Sequence, residues 1–316
     1  MQTQVLIIGG GVTGTGLARD LSLRGISCVL AEQRDINAGA SGGNHGLLHS
    51  GARYICSDPV SAQECQEEAQ VLRRIAPHCI EDTGGLFVAV PGDDESYIAD
   101  FPQACAQAGI PCTPVDPHKA REMEPGLAPD LIAAYAVNDA TIDPFQISLD
   151  NISQAIQGGA IYLSHHQATA MDRKPGQEVA CVTLQNTLTG AVTQVYPDIV
   201  VNASGAWAAE TLKMAGLSLD MVYSKGTLAV TGTRLSRQVI NRLRWPDDGD
   251  ILVPGGTVSI LGTTAVNISD LSSIKPTVEE VDTIIEEGGA MFPALEATRY
   301  VRSYAGVRPL LASGES

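Results

Sequence analysis

Val5-Leu6-Ile7-Ile8, running straight into Gly9-Gly10-Gly11-Val12-Thr13-Gly14, constrains this chain more than any other stretch. A short run that is apolar on both sides fits a strand buried on both faces, as in a parallel sheet. Residues 12–24 carry helical apolar spacing (Leu17, Leu21), and Gly25 is placed as a C-terminal cap. Residues 27–31 (SCVLA) read as a second buried strand that ends at Glu32. The whole is a βαβ unit of about thirty residues with G-x-G-x-x-G at its first turn. In that place Gly9 permits the turn, Gly11 lets the backbone approach a pyrophosphate, and Gly14 lets helix and strand pack closely. The helix N-terminus then faces the phosphate charge. Glu32 can accept two hydrogen bonds from a ribose diol and would repel a 2′-phosphate, which argues for a dinucleotide and against NADP. No second G-x-G-x-x-G is present for a separate nicotinamide cofactor.

The 316 residues leave room for two folding units, or for one α/β unit with an inserted lobe. A net charge of −16 repels nucleic acid and anionic lipid, so no nucleic-acid function is expected. An anionic substrate would need a local basic cluster working against that field. The seven cysteines are odd in number and scattered, with no C-x-x-C pair. They form no disulfide framework, zinc site or iron–sulfur ligand set, and no metal is expected. The N-terminal MQTQ runs directly into the first strand, leaving no room for a signal peptide. The longest uncharged stretch, 251–269, is broken by Gly, Thr and Pro and suits strands better than a membrane helix. A cytoplasmic protein without direct membrane insertion follows.

Further along, helices are expected near 61–76, 94–108, 117–123, 143–157 and 277–288. Short strands are expected at LFVAV and LIAAYAV. Two period-2 runs, EVACVTLQ and AVTQVY, are joined through a turn at Thr189-Gly190, and a separate strand follows at 198–202. The fold class is α/β: a Rossmann-like nucleotide-binding domain (1–84, 142–216 and 300–316) with an inserted α+β substrate domain (85–141 and 217–299) on a mainly antiparallel sheet.

The segments GGGVTGTGLARDLSLRG, VLAE, GASGGNHGLLHSGARY, VVNASGAW, SKG, LVPGGTVSILGTT and YAGVRPL together resemble the FAD-dependent glycerol-3-phosphate dehydrogenases. These belong to the D-amino-acid-oxidase-like flavoproteins. Within them the likeness is nearest to the large catalytic chain of the anaerobic bacterial enzymes, and it runs from about residue 4 to residue 313. Aerobic members carry a histidine shortly after the Lys-Gly dipeptide, where this chain has Thr227-Leu228, as in the anaerobic branch. The family continues beyond GVRPL, so the chain reads as the front part of a longer protein.

The resemblance implies non-covalent FAD, since it marks no residue as a flavin attachment point. Contacts are expected from Gly9, Gly11, Thr13, Gly14, Glu32, Gln33, Ser41, Asn44, Gly46, Leu47, Leu48, Ala168, Ala203, Gly205 and Trp207. It also implies oxidation of sn-glycerol 3-phosphate to dihydroxyacetone phosphate. Arg53, Tyr54, Lys225, Thr263 and Arg308 would lie on the substrate. His49 would be the base and Arg308 the stabiliser of the developing alkoxide. Electrons would pass to partner subunits and on to membrane quinone, which gives a peripheral place at the cytoplasmic face of the inner membrane.

From the residues alone, His49 could equally be a histidine packed in a polar core, and either arginine a surface one. Two other readings stay open. One is a related flavoprotein oxidase or dehydrogenase of a 2-hydroxy or 2-amino acid, whose carboxylate the same arginines could hold. The other is a flavin-binding module without turnover.

Overall fold

The computed structural model describes residues 1–173 and 179–312. The strand Gln2–Ile8 lies inside a six-stranded sheet, in parallel register with Val192–Asn202 on one side and Cys28–Ala31 on the other. Alternation along it divides two cores. Val5 and Ile7 pack with Ala18, Leu30, Ile152 and Ala155 under the helices Val12–Leu23 and Pro144–Gln157. Leu6 and Ile8 pack on the opposite face with Val182, Leu184 and Val195. The second long helix starts as its sequence directs: Pro144 occupies the first turn, and the Asp143 carboxylate accepts the Phe145 and Gln146 amides at 2.9 Å.

The expected hairpin is present as Val179–Asn186 and Val192–Asn202, antiparallel through residues 192–195. Its expected first residue, Glu178, lies outside the described residues. The second run and the strand expected at 198–202 are one continuous strand. Pro197 does not break it, for a directional reason. Tyr196 donates its N–H toward Met1 on the parallel side, so the missing donor of Pro197 points to the other side, where antiparallel pairing has already ended at Val195.

The second sheet has nine strands among the described residues, all pairs antiparallel except Val239–Arg242 with Gly85–Ala89. One face packs Leu86, Val88, Ile240, Leu252 and Leu261 against the helix Val278–Met291 and Phe292. The other holds Phe87 and Val137 against Phe101 and Tyr97 of the helix Glu95–Gln107. Full burial of such side chains contributes roughly 1.5–3 kcal/mol each. The segment 300–316, expected with the nucleotide-binding part, begins with a strand that joins the second sheet. The strand Tyr300–Leu311 pairs along its length with Met221–Thr231 in the second sheet, and the last four residues of the segment lie outside the described ones. A small sheet of Leu47–Leu48, Ala140–Ile142 and Ile80–Glu81 stands beside these two. No helix among the described residues is long and apolar enough to cross a membrane.

Candidate active site

Two recesses adjoin, sharing Ala40 and flanked by successive residues of the strand Tyr300–Leu311. The first, about 480 Å³, lies over the glycine turn. Gly9 (φ +116°) has no space for a side chain, because a Cβ there would fall 2.3 Å from the Ala203 carbonyl oxygen. At Gly14 a Cβ would stand 1.9 Å from the Gly9 carbonyl oxygen. Gly11 caps the helix without any side chain, and Ser41 Oγ accepts the Val12 amide at 3.0 Å. Glu32 closes one wall, its carboxylate accepting the Gly10 amide at 2.7 Å and the Arg34 amide at 2.8 Å.

Thr13, Gln33 and Ala168 line this cleft as expected from the sequence, as do Ala203, Gly205 and Trp207. The sequence reading missed Arg34, whose guanidinium lies 5.2 Å over the Trp207 ring, and also His166 and Asn202. Asn202 had a local signal, being the last residue of a strand that ends at a small-residue turn.

The second recess, about 390 Å³, gathers His49, Arg53, Tyr54, Thr263 and Arg308 from separate parts of the chain. His49 sits 5.2 Å, ring to ring, from Tyr54. Burial lowers its imidazole to about 4, against an opposing pull from the Asp139 carboxylate. It is therefore neutral, and a proton acceptor, at neutral pH. His45 lines the same recess and is lowered further, to about 3, again by burial.

Arg308 donates to the Thr264 carbonyl at 3.2 Å and to Thr263 Oγ1, and no carboxylate among the described residues lies within ion-pair distance. Burial lowers its guanidinium somewhat from the ordinary value. Gly226 makes room for it, since a Cβ there would meet the guanidinium at 2.9 Å. Arg53 donates through Nη2 to Asp250 and to the Asp247 carbonyl, both at 3.3 Å.

Asn44 and Gly46 belong to the loop between the two recesses. Asn44 braces it, donating to the Ser41 carbonyl and accepting the Gly46 amide, each at 2.8 Å. Gly46 faces a different recess, of about 480 Å³, on the far side of that loop. Leu47, Leu48 and Lys225 line neither recess. Leu47 and Leu48 pair with the strand Ala140–Ile142 and send their side chains into apolar clusters, since two adjacent leucines in a strand must face opposite cores. Lys225 is buried away from the recess, in an ion pair with Glu280 at 2.8 Å. None of the seven cysteines is disulfide-bonded. His78, Cys79 and Asp150 bring three ligand-type atoms within 4.8 Å, where they bond to one another.

The chain is 46% identical over 315 residues to the A subunit of the anaerobic glycerol-3-phosphate dehydrogenase of Escherichia coli K12, covering 99% of this chain and 58% of that protein. With the A1 subunit of the Haloferax volcanii enzyme the identity is 42%, over 97% of this chain and 54% of the other. This chain thus spans little more than half the length of these curated relatives. Among solved structures, the L-α-glycerophosphate oxidase of Mycoplasma pneumoniae with FAD bound superposes with a TM-score of 0.85 at 18% identity. The match covers 99% of this chain and 85% of that one. The FAD complex of Bacillus halodurans glycerol-3-phosphate dehydrogenase matches at 0.74 and 25% identity, over 99% and 58%. The family model of the FAD dependent oxidoreductases matches residues 4–316, and the chain belongs to that family.

Proposed function

We propose that this chain holds FAD non-covalently across the two recesses and oxidises sn-glycerol 3-phosphate to dihydroxyacetone phosphate. The cleft suits the nucleotide on its own geometry. The helix Val12–Leu23 begins without a side-chain cap and has no acidic residue in its first turn. Ser41 Oγ already holds the Val12 amide, and the first-turn amides after it, with Ser41, suit a pyrophosphate. Glu32 and Trp207 bound the space beyond. When bound there, FAD supplies a two-electron acceptor for the hydride on C2 of the substrate.

The observation that carries the reading is the convergence of neutral His49 with Arg53 and Arg308 on one recess beside that cleft. Two guanidiniums suit a phosphate dianion, each able to meet two oxygens. His49, held neutral, takes the C2 hydroxyl proton on a ring nitrogen, and a positioned base of this kind contributes roughly 10²–10⁴-fold. Arg308 lies where its charge can oppose that of the developing alkoxide. The relatives are named as subunits, which supports the passage of electrons to partner subunits; membrane quinone as the acceptor beyond them is our own extension of that path.

The test is an anaerobic absorption spectrum of the protein supplied with FAD. Bleaching of the flavin bands by sn-glycerol 3-phosphate, but not by glycine or lactate, is the expected result. Bleaching only by a 2-hydroxy or 2-amino acid would replace the substrate assignment. Failure to retain flavin would overturn the cofactor assignment.

A further inference from the structure

Arg53 does not stand alone behind the recess. Its Nη2 meets Asp250 Oδ2 at 3.3 Å, and Asp250 Oδ1 accepts Arg244 Nε at 2.8 Å. Arg244 Nη2 reaches Glu287 Oε2 at 2.9 Å, which also faces Arg242 Nη1 at 3.3 Å. Arg242 Nη2 ends the row on Asp93 at 2.9 Å. Three arginines thus alternate with three carboxylates. The side chain of Asp250 is fully buried, and those of Asp93 and Arg242 nearly so. Asp250 Oδ2 also accepts the Asp247 amide at 2.7 Å, while the Asp247 carbonyl accepts from Arg53 Nη2.

We propose that Asp250 is a positioning residue for Arg53, and that Arg244, Glu287, Arg242 and Asp93 form a charge-balanced ladder that fixes both from behind the recess. The claim rests on reading the recess as the phosphate site. The ladder holds Arg53 by one terminal nitrogen, and its Nη1 and Nε make no hydrogen bond among the described residues. Those donors remain for the ligand, and holding the guanidinium in advance lowers the ordering cost of binding. A buried carboxylate shared by two guanidiniums cannot turn toward one without releasing the other, so the Arg53 fork has one stable aim. If Asp250 acted only by neutralising charge, its removal would strengthen binding of a dianion. If it acts by position, its removal weakens binding.

The experiment compares Asp250→Asn with the unaltered FAD-loaded protein, alone and in an Arg53→Ala background. Loss of a hydrogen bond to a charged group is worth about tenfold or more in affinity. KM for sn-glycerol 3-phosphate is therefore expected to rise about tenfold in Asp250→Asn with kcat little changed, the pattern of lost uniform binding. In the Arg53→Ala background the same change is expected to leave KM where it is. A fall in KM, or equal effects in both backgrounds, overturns the proposal. Glu287→Gln, whose side chain is 39% exposed, gives a second reading should Asp250→Asn fail to fold: a smaller rise in KM, again absent when Arg53 is alanine. A crystal structure of either folded variant decides the ladder whatever the substrate is, since an Arg53 guanidinium found unmoved refutes it. Absence of any turnover in the unaltered protein would instead strike the substrate assignment alone.

Discussion

Replacing Lys225 with methionine separates two roles for that residue. Its ammonium is paired with Glu280 at 2.8 Å, with the two side chains only 9% and 11% exposed, and also donates to the Lys275 carbonyl at 2.9 Å. Burial would raise the Glu280 carboxyl, but Lys225, Thr227 and the Thr277 amide outweigh it and hold the group below its ordinary value. Removing one partner of a buried pair costs about 3–5 kcal/mol, because the other charge stays behind. Here Glu280 would keep the Thr227 hydroxyl at 2.6 Å, the Thr277 amide at 3.0 Å and the start of the helix Val278–Met291. The low end, about 3 kcal/mol, is therefore the expected loss. For a chain of this size that corresponds to a fall of about 6 °C in melting temperature. Differential scanning calorimetry reads it, and Lys225→Met with Glu280→Gln is expected to recover most of it, since no unpaired charge remains. KM for the phosphate substrate should change less than about twofold, because Lys225 does not line the recess. A tenfold rise in KM at an unchanged melting temperature would refute the argument and return Lys225 to the substrate.

Two further outcomes follow from the same geometry. Gly14→Ala is expected to weaken FAD binding at least about tenfold by fluorescence titration, because its Cβ would press on the Gly9 carbonyl oxygen at 1.9 Å. Gly16→Ala, two residues on with nothing nearer than 3.9 Å, should leave binding intact and add up to about 1 kcal/mol of helix stability; equal effects would sink the close-packing account. His45 and His49 are held well below the ordinary histidine value, at about 3 and about 4, so the unfolded chain binds more protons than the folded one between there and about pH 6.5. Their contribution to stability is complete above about pH 6.5 and is lost as pH falls through the folded values, at up to about 1.4 kcal/mol per pH unit for each. Denaturant unfolding of a His45→Asn, His49→Asn variant should show a flatter acid slope than the unaltered protein, and parallel slopes would contradict the burial of both rings.

The nucleotide half of the site was legible because its determinants are contiguous. Strand, turn, helix and acidic strand end occupy residues 2–32, and each constrains its neighbour through period, glycine geometry or capping. Leu47 and Leu48 show where a motif stops informing. A resemblance gives a loop's neighbourhood, but whether the side chain or only the backbone faces the ligand depends on strand pairing with Ala140–Ile142, about ninety positions away. The pairing of the strand Tyr300–Leu311 was hidden for the same reason: its sequence fits any half-buried strand, and its partner Met221–Thr231 is chosen by register across the molecule.

Charge pairing is the property that sequence hides most completely. Arg53, Arg242, Arg244, Lys225 and Arg308 look alike along the chain, yet four of them are bound to carboxylates in the fold. Arg308 alone of these five has no such partner among the described residues, and its three side-chain bonds go to neutral oxygens of Ser224, Thr263 and Thr264. Arg308 remains solvent-accessible, so in a chain of net charge −16 its guanidinium is a local positive charge open to an anion. The ladder behind Arg53 balances its own charge and contributes aim, while Arg308 contributes most of the net attraction. On the proposed reading of the recess, this division would let a strongly acidic protein receive a dianion. The long-range field opposes approach, screened beyond roughly 8 Å at physiological salt, and inside that distance the unpaired charge of Arg308 and the fixed fork of Arg53 decide the outcome.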